Sequence, residues 1–278
     1  MRRPLLLLLL LPQLLGAQAT VRRGVAVGPE VALRLWIPAG EVQVTAWDRD
    51  SVAVEATTSE GVQLVGGGSR DAAKYAVEFI DRSRTGLPGA KLVVRIPRRA
   101  RVWIKSTTAA VVVRGTAAEL DVLSVTGRVV VRDVTGSTTV EAINAAVDIG
   151  GAAGAVRVRG GSGPVVLAAI SGALDVTMVS GSVTVAPQAT SGHLPGGRVE
   201  TVGGMVTLSG TLAPGSTLQV DTHDGAILLQ VPPGAPPLVR ASGVELSLPA
   251  ALRGRTTSGT VEVRTFSGEL NVRVLDGT

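Results

Sequence analysis

Short runs of alternating apolar and polar residues recur through the middle of the chain, and each follows a pair of small residues. Residues 126–131, 171–176 and 180–185 show the unit, which reads Ser/Thr-Gly-x-apolar-x-apolar. Alternation over so few residues predicts a half-buried β-strand, and the Ser/Thr-Gly pair predicts the turn before it. We therefore expect an all-β protein built from many short strands.

The glycines of these units fall on one nine-residue grid, which is occupied by Gly127, Gly136, Gly154, Gly163, Gly172 and Gly181, with Ala145 at the remaining position. A single unit cannot bury its apolar edge alone, but stacked units form a continuous core. A β-sandwich would explain short strands but not a constant period. The predicted fold is a parallel β-solenoid, similar to a β-helix.

Alignment of the units places apolar residues in columns two, four and seven residues after the grid position. The first column holds Val129, Thr138, Val147, Val156, Val165, Leu174 and Val183; the second holds Val131, Val140, Ile149, Val158, Leu167, Val176 and Val185; the third holds Val134, Ile143, Ala152, Gly161, Ile170 and Val179. All three columns are predicted to face the core. The mixed position between the first two is predicted to face outward.

We expect each coil to contain two units, so that residues 18 apart in the chain stack on one another. Arg157 then lies beside Asp175 on the outer face, with Thr139 on its other side. A coil of three units would instead stack Asp148 on Asp175 and bring like charges together.

Residues 20–105 are less regular and are predicted to form an N-terminal β cap on the solenoid repeats at 106–278, within one continuous domain over 20–278. Residues 75–79 alternate as a strand, which we expect to pair with 91–96 across the loop at 81–90. Five of the six aromatic residues lie in this region or at its end, and we interpret them as stapling the cap: Trp36, Trp47, Tyr75, Phe79 and Trp103. A carbohydrate-stacking platform is the alternative interpretation.

The first 19 residues have the layout of a secretory signal peptide. Arg2 and Arg3 precede a leucine run at 5–11, and Ala17-Gln18-Ala19 provides an A-x-A cleavage site. The leucine run is too short to span a bilayer, and no second apolar run is long enough. We expect a signal peptide over 1–19, no transmembrane segment in the mature chain, and export to the periplasm, the cell surface or the medium.

Composition narrows the chemistry that the chain can perform. Hydrophobic residues make up 45%, glycine accounts for 35 of 278 residues and aromatics for 2%, so the core is aliphatic. The absence of cysteine excludes disulfides, thiolate zinc sites, iron–sulfur clusters and a cysteine nucleophile. The closest match to a calcium-binding β-roll repeat, Gly160–Val165, has valine where aspartate is required. No metal site and no cofactor are predicted.

The order of these features resembles a known family. The predicted signal peptide is followed by an opening strand at 40–44, a Leu-Val-Val-Arg-Ile-Pro strand at 92–97, and serial Ser/Thr-Gly-x-Val-x-Val units. This arrangement is similar to the bacterial putative-adhesin family of β-strand-repeat domains, a family of unknown function named for its resemblance to surface adhesins. The resemblance covers nearly all of the mature chain and implies an exported envelope protein with a β-helix-like body. It supplies no catalytic residues, and some relatives accompany envelope-stress signalling systems.

The residues argue against two enzymatic interpretations. His223 lies between Asp221 and Asp224 and could serve a serine nucleophile, but it occupies a turn position, where a solvated histidine explains it. A polysaccharide-active β-helix enzyme would need an acid–base pair of carboxylates in one column, whereas the charged residues of the grid occupy differing columns. No catalytic residue is predicted, and the chain is expected not to be an enzyme.

Two surfaces are candidates for binding. The densest basic cluster consists of Arg95, Arg98, Arg99, Arg101, Trp103 and Lys105. It is a candidate patch for polyanions such as phosphate-bearing glycans or lipid headgroups. The alternative interpretation is a solvated strand and turn. The run at 269–274 ends close to the end of the sequence, so we expect an edge strand that docks a partner or a second copy. Export and a net charge of only +5 argue against nucleic acid as a partner.

The leading hypothesis is an exported, non-enzymatic cell-envelope module for adhesion, scaffolding or interaction, whose partner is a protein or glycan of the envelope. The first alternative is an accessory or sensor protein of an envelope-stress signalling system. The second is a polysaccharide-active β-helix enzyme.

Overall fold

A computed structural model describes residues 19–116, 118–187, 192–233, 236–253 and 258–275. Of the predicted signal peptide over 1–19, residues 1–18 lie outside this part of the chain. Within the described residues the fold is all-β apart from one 3-10 turn at Ala250–Leu252. Two sheets of twelve strands enclose one apolar core, and these same residues include no helix long and apolar enough to cross a bilayer.

We number the strands in chain order and give each sheet from its N-terminal end. Sheet A consists of β1 (Ala19–Ala26), β4 (Ser51–Thr58), β7 (Gly89–Pro97), β3 (Ala39–Trp47), β9 (Ala110–Arg114), β11 (Val129–Val134), β13 (Val147–Ala152), β15 (Val165–Ile170), β17 (Val183–Ala186), β20 (Val206–Ser209), β23 (Ile227–Val231) and β26 (Leu270–Val274). Sheet B consists of β5 (Val62–Gly68), β6 (Ala72–Phe79), β2 (Ala32–Ile37), β8 (Arg101–Ser106), β10 (Leu120–Ser124), β12 (Thr138–Ala142), β14 (Val156–Gly160), β16 (Leu174–Met178), β19 (Gly197–Thr201), β22 (Thr217–Thr222), β25 (Thr260–Thr265) and β24 (Leu238–Ser242). The short strands β18 (His193–Leu194) and β21 (Thr211–Leu212) pair with each other.

The repeats form a parallel β-solenoid in which each coil contributes one strand to each sheet. Val129 pairs with Val147 and Val147 with Val165, so the strands of sheet A from β9 to β17 stack with a shift of 18 residues, and the shift is larger where loops are inserted after β17. The prediction of two units per coil is confirmed. On sheet B, Arg157 lies between Thr139 and Asp175, as predicted, and its Nε is 2.9 Å from a carboxylate oxygen of Asp175.

The grid glycines are required because successive coils approach each other closely. A Cβ atom at Gly136 would lie 1.6 Å from the carbonyl oxygen of Ala118, and one at Gly172 would lie 2.1 Å from that of Gly154. Neither glycine has a left-handed φ, so the position demands space more than an unusual backbone conformation. Ala145 occupies the same position in one coil, with its methyl group buried.

The turns on the two sheets bury different residues. On β11, β13 and β15 of sheet A, the sixth residue beyond the grid position is left-handed, as in Asp133 (φ 55°) and Ala169 (φ 56°), and the seventh residue is buried in the core. After a strand of sheet B the alternation continues, so the sixth residue beyond the grid position is buried. The seventh residue is exposed, and Ile143 and Val179 are examples of this seventh position. The prediction that the whole third column faces the core is therefore correct for sheet A and wrong for sheet B.

At the N-terminal end, the order of strands in space differs from their order in the chain. The coil formed by β2 and β3 is flanked by β6 and β7 on one side and by β8 and β9 on the other, while β1, β4 and β5 close the end with antiparallel pairing. The expected pairing of 75–79 with 91–96 is wrong, since β6 pairs with β2 and β5 in sheet B whereas β7 belongs to sheet A. The loop between β6 and β7 carries the chain from one sheet to the other, so these strands do not form a hairpin.

At the C-terminal end, the last strand of sheet B is also out of chain order. The chain leaves β23, lays β24 along the edge of sheet B, and only then places β25 between β24 and β22. Leu252 is buried in this insertion, and Leu246 and Leu248 pack against the core.

Four of the five aromatic residues of the N-terminal region divide into two groups, and the fifth, Trp47, is half-buried and donates its indole N–H to the carbonyl oxygen of Ser51. Tyr75 is buried and Phe79 packs against the core, as expected for residues that staple a cap. Trp36 and Trp103 instead lie on the outer face of sheet B, with 37% and 38% of their surface exposed. The interpretation of all five aromatics as cap staples is wrong for these two tryptophans, because both alternate with buried neighbours on their strands.

Candidate functional site

The outer face of sheet B carries a compact group of aromatic and charged side chains near its N-terminal end. The neighbouring strands β2, β8 and β10 bring their outward residues into three rows of three. The rows are Ala32, Arg101 and Glu119; Arg34, Trp103 and Asp121; and Trp36, Lys105 and Leu123. We call these nine residues the tryptophan face.

A groove of about 390 Å³ runs over the first two rows of the tryptophan face. Trp103, Arg34 and Arg101 line it together with Glu119 and Asp121. In the first row, the small side chain of Ala32 leaves open the space next to the indole of Trp103. The groove is therefore a depression in a rigid sheet, with one aromatic ring among charged groups.

The second indole of this face is held by a neighbouring cation. The Nζ atom of Lys105 lies 4.4 Å from the centre of the Trp36 ring, a distance at which an ammonium ion is attracted to the face of an indole. One face of Trp36 is therefore occupied by Lys105, and Trp103 is the indole that lines the groove.

The cations of the tryptophan face are not neutralised by ion pairs. Among the described residues, no ion pair of 4.0 Å or less involves Arg34, Arg101 or Lys105. Burial raises the pKa of Asp121, and repulsion from the carboxylates of Glu119 and Glu141 raises it further, against a hydrogen bond from Thr139. The acidic side of the groove therefore disfavours additional negative charge.

The residues of the predicted basic patch do not form one surface. Arg101, Trp103 and Lys105 lie together on the tryptophan face. Arg95 lies on the outer face of the opposite sheet, where its guanidinium carbon is 5.9 Å from the centre of the Trp47 ring. Arg98 and Arg99 occupy the turn between β7 and β8, and each forms an ion pair, with Asp48 and Glu30 respectively. Arg34 and Asp121 join the site from strands distant in sequence.

A second surface is an exposed stripe where strands of sheet B end, and it includes Ile143 and Val179, which were predicted to face the core. Ile143, Val179 and Val202 are about half exposed, and Phe266 is 76% exposed. The ring of Phe266 stacks on that of His223, with centroids 4.9 Å apart. We call these five residues the apolar corner.

Outside the groove, the paired carboxylates of sheet B and the two histidines contact other side chains. Glu200 and Asp221 pair across β19 and β22, but Arg198 bridges them, with its Nη2 atom 3.5 Å from Glu200 and 2.9 Å from Asp221. His223 is exposed at the apolar corner, and the Nδ1 atom of His193 lies 3.0 Å from the hydroxyl oxygen of Thr211. Groups of three or more histidine, aspartate or glutamate side chains able to hold a metal ion are absent from the described segments.

The last strand of sheet A has an open edge in the described part of the chain, where β26 pairs with β23 alone. The N–H of Leu275 donates to Val231 and the carbonyl of Glu269 accepts from Ile227, so the odd-numbered residues of β26 bond to β23. Because N–H and C=O of one residue point to the same side in a parallel strand, Val272 directs both groups toward the open edge.

Comparisons with known proteins support the fold. No protein-family model and no curated protein matches the chain. A structure described as a putative lipid-binding protein from Parabacteroides distasonis has a TM-score of 0.52 at 11% identity and covers 94% of this chain and 98% of its own. This likeness agrees with the all-β solenoid described above and shows the fold alone.

Two further solved structures are similar to the chain at lower TM-scores. A putative adhesin from Bacteroides fragilis has a TM-score of 0.43 at 10% identity and covers 92% of this chain and 97% of its own. A putative adhesin from Parabacteroides merdae has a TM-score of 0.40 at 12% identity and covers 92% and 96%. Proteins described as adhesins therefore occur among the structural neighbours.

Proposed function

We propose that the protein is an exported, non-enzymatic binding module of the bacterial cell envelope, and that it holds an envelope component on the tryptophan face. The observation that carries this proposal is the exposed indole of Trp103 in a groove with the unpaired guanidinium groups of Arg34 and Arg101. Exposed aromatic and arginine side chains are the residues that most often dominate binding energy at protein surfaces. Side chains on a sheet are also held more rigidly than side chains on loops.

Binding is favoured over catalysis by the way the carboxylates are arranged. Glu119 and Asp121 lie beside cations and an indole but have no histidine, lysine or serine nucleophile placed with them in the groove. The two carboxylates of β19 and β22 contact the same guanidinium group, that of Arg198, whereas an acid and a base need two different environments. The fold shared with a protein described as lipid-binding is compatible with a binding role.

The test of this proposal is retention of the mature chain on isolated bacterial envelopes. Trp103→Ala is expected to lower the bound fraction about tenfold, because it removes the central apolar contact of the groove. The matched control is Val166→Ala, which trims an exposed side chain (41%) on the outer face of sheet A. Equal retention of wild type and the Trp103 variant would overturn the proposal.

The open edge of β26 supports a second interaction, pairing with a strand of a partner or of a second copy. A strand that leaves N–H and C=O groups unpaired is a template for β-strand addition. Val272→Pro removes a donor on the open side and is expected to abolish association without breaking the ladder to β23. Asn271→Pro removes a donor that faces β23, so it is expected to lower the melting temperature instead. Unchanged association of a folded Val272→Pro variant, measured by light scattering and cross-linking, would contradict the idea.

A further inference from the structure

We propose that the groove of the tryptophan face binds an uncharged oligosaccharide, with one pyranose ring stacked on Trp103. This inference rests on the proposed function and names the chemical class of its ligand. It depends on three features of the groove: the exposed indole, the mixture of donors and acceptors around it, and its shape.

The indole of Trp103 offers a flat apolar surface in an otherwise polar groove. A pyranose ring with equatorial hydroxyls has a face of C–H groups, and these carry a partial positive charge that suits the electron-rich face of an indole. Trp103 is 38% exposed, while the buried residues Val102 and Ile104 on either side anchor its strand in the core. The stacking surface is therefore already formed before a ligand arrives, which lowers the entropic cost of binding.

The polar groups of the groove match hydroxyl groups better than they match an anion. A sugar hydroxyl both donates and accepts hydrogen bonds, so a ring rich in hydroxyls needs acceptors as well as donors around it. Arg34 and Arg101 provide guanidinium donors, and Glu119 and Asp121 provide carboxylate acceptors on the other side of the indole. A phosphate or a uronate would use the donors but would be repelled by both carboxylates.

The shape of the face indicates a chain of more than one sugar. A volume of about 390 Å³ lies within the range of small-molecule sites, and the groove spans the three neighbouring strands β2, β8 and β10. Trp36 lies on the neighbouring strand, two residues along from the partner of Trp103, so the Cα atoms of the two tryptophans are about 8 Å apart. Lys105, which covers Trp36, lies in the third row and can donate to the hydroxyls of the next sugar.

The direct test is fluorescence titration of a variant in which Trp103 is the only tryptophan, made by Trp36→Phe and Trp47→Phe. The neutral probes are cellohexaose and hexa-N-acetylchitohexaose, and the anionic probes are hexagalacturonate and heparin. We expect at least one neutral probe to change the Trp103 emission saturably, and the anionic probes to bind more weakly. Calorimetry of the full mature chain then measures variants, with a loss of about tenfold or more for Trp103→Ala and a smaller loss for Arg34→Ala.

The matched control is Arg157→Ala, which removes a guanidinium from the same outer column of sheet B outside the groove and should leave sugar affinity unchanged. Preferential binding of heparin or hexagalacturonate would overturn the inference in favour of a polyanion site. If no neutral probe binds while retention on envelopes still depends on Trp103, the ligand class is wrong and the proposed function stands. If retention on envelopes does not depend on Trp103 either, both are wrong.

Discussion

The turn after a strand of sheet A and the turn after a strand of sheet B come from the same nine-residue unit, yet they bury different residues. On sheet A, a left-handed residue such as Ala169 reverses the alternation and sends Ile170 into the core. On sheet B the alternation persists, so Met178 is buried and Val179 is exposed. A pattern that repeats every nine residues therefore describes a structure that repeats every 18.

This difference gives the two long edges of the solenoid different surfaces. On the sheet A side, the third apolar residue of each unit closes the core. On the sheet B side, the corresponding residues form the apolar corner, where Ile143 and Val179 are 53% and 57% exposed. In the coils that contain β11, β13 and β15, the asymmetry coincides with one left-handed residue after the strand of sheet A.

The largest expected effect tests the first two buried columns, which sheet A and sheet B share. Val176→Asp places a carboxylate among the buried valines of the second column and is expected to lower the free energy of unfolding by about 4 kcal/mol or more. Asp175→Val, on the adjacent outward position, loses only the exposed pair with Arg157, worth about 0–1 kcal/mol. Urea unfolding of both variants measures the difference. Similar losses would place the columns one residue out of register.

The shared columns are also the part of the fold that the sequence predicts best. Apolar residues at alternate positions with a constant spacing determine which residues face inward and that coils stack 18 apart. The positions of the left-handed residues cannot be predicted from the sequence pattern, because Asp133, Gly151 and Ala169 share no residue type. The order of strands at both ends escapes prediction as well, since it depends on pairings between segments that lack the repeat.

The candidate site was predicted in part for the same reason. Arg101, Trp103 and Lys105 alternate along one strand, so their common face follows from local sequence. Arg34 reaches Trp103 only through the pairing of β2 with β8, and this pairing joins segments far apart in the chain. Arg95 is near these residues in sequence but belongs to the opposite sheet.

The next effect tests the close approach of coils, which both kinds of turn share. Gly172→Ala and Gly181→Ala each place a methyl group 2.1 Å from a carbonyl oxygen of the preceding coil, which forces a backbone shift. Each is expected to cost about 1–3 kcal/mol of unfolding free energy. Ala145 shows that one coil accommodates a methyl group there, so the fold should survive. The control is Gly67→Ala, where a Cβ meets no atom within 4 Å. Equal stability of all three variants would remove close approach as the reason for the grid.

The third prediction separates the two kinds of turn by the sign of the stability change that an alanine-to-glycine substitution causes in each. Ala169→Gly relieves a left-handed alanine on sheet A and is expected to stabilise the protein by about 0.5 kcal/mol, after allowing for the greater freedom of glycine in the unfolded chain. Ala142→Gly, six residues after its grid position on sheet B, removes a buried methyl group from extended backbone and is expected to destabilise by about 1 kcal/mol. Thermal unfolding measures both. Changes of the same sign would mean that the two turns do not differ in backbone strain.

The smallest expected difference in unfolding free energy is between ion pairs on the outer faces of the two sheets. On sheet A, Arg132 donates to the carboxylate of Asp148 at 2.6 Å and to two backbone carbonyls, and its side chain is 33% exposed. On sheet B, Arg157 makes one contact with Asp175 at 2.9 Å, and both side chains are about half exposed. Because solvent screens exposed pairs, Arg157→Ala is expected to cost about 0–0.5 kcal/mol and Arg132→Ala about 1 kcal/mol.

The two arginines also differ in how salt should act on them. The Arg157–Asp175 pair lies in water and its contribution should vanish at about 1 M NaCl, where the screening length is about 3 Å. Arg132 keeps its bonds to the carbonyl oxygens of Val131 and Asp148, which do not depend on a carboxylate charge, so most of its effect should persist. Urea unfolding of Arg132→Ala and Arg157→Ala at low and high salt measures both differences. Equal costs of Arg157→Ala and Arg132→Ala would show that the backbone bonds made beside the left-handed turn contribute nothing, and that the two outer faces are equivalent.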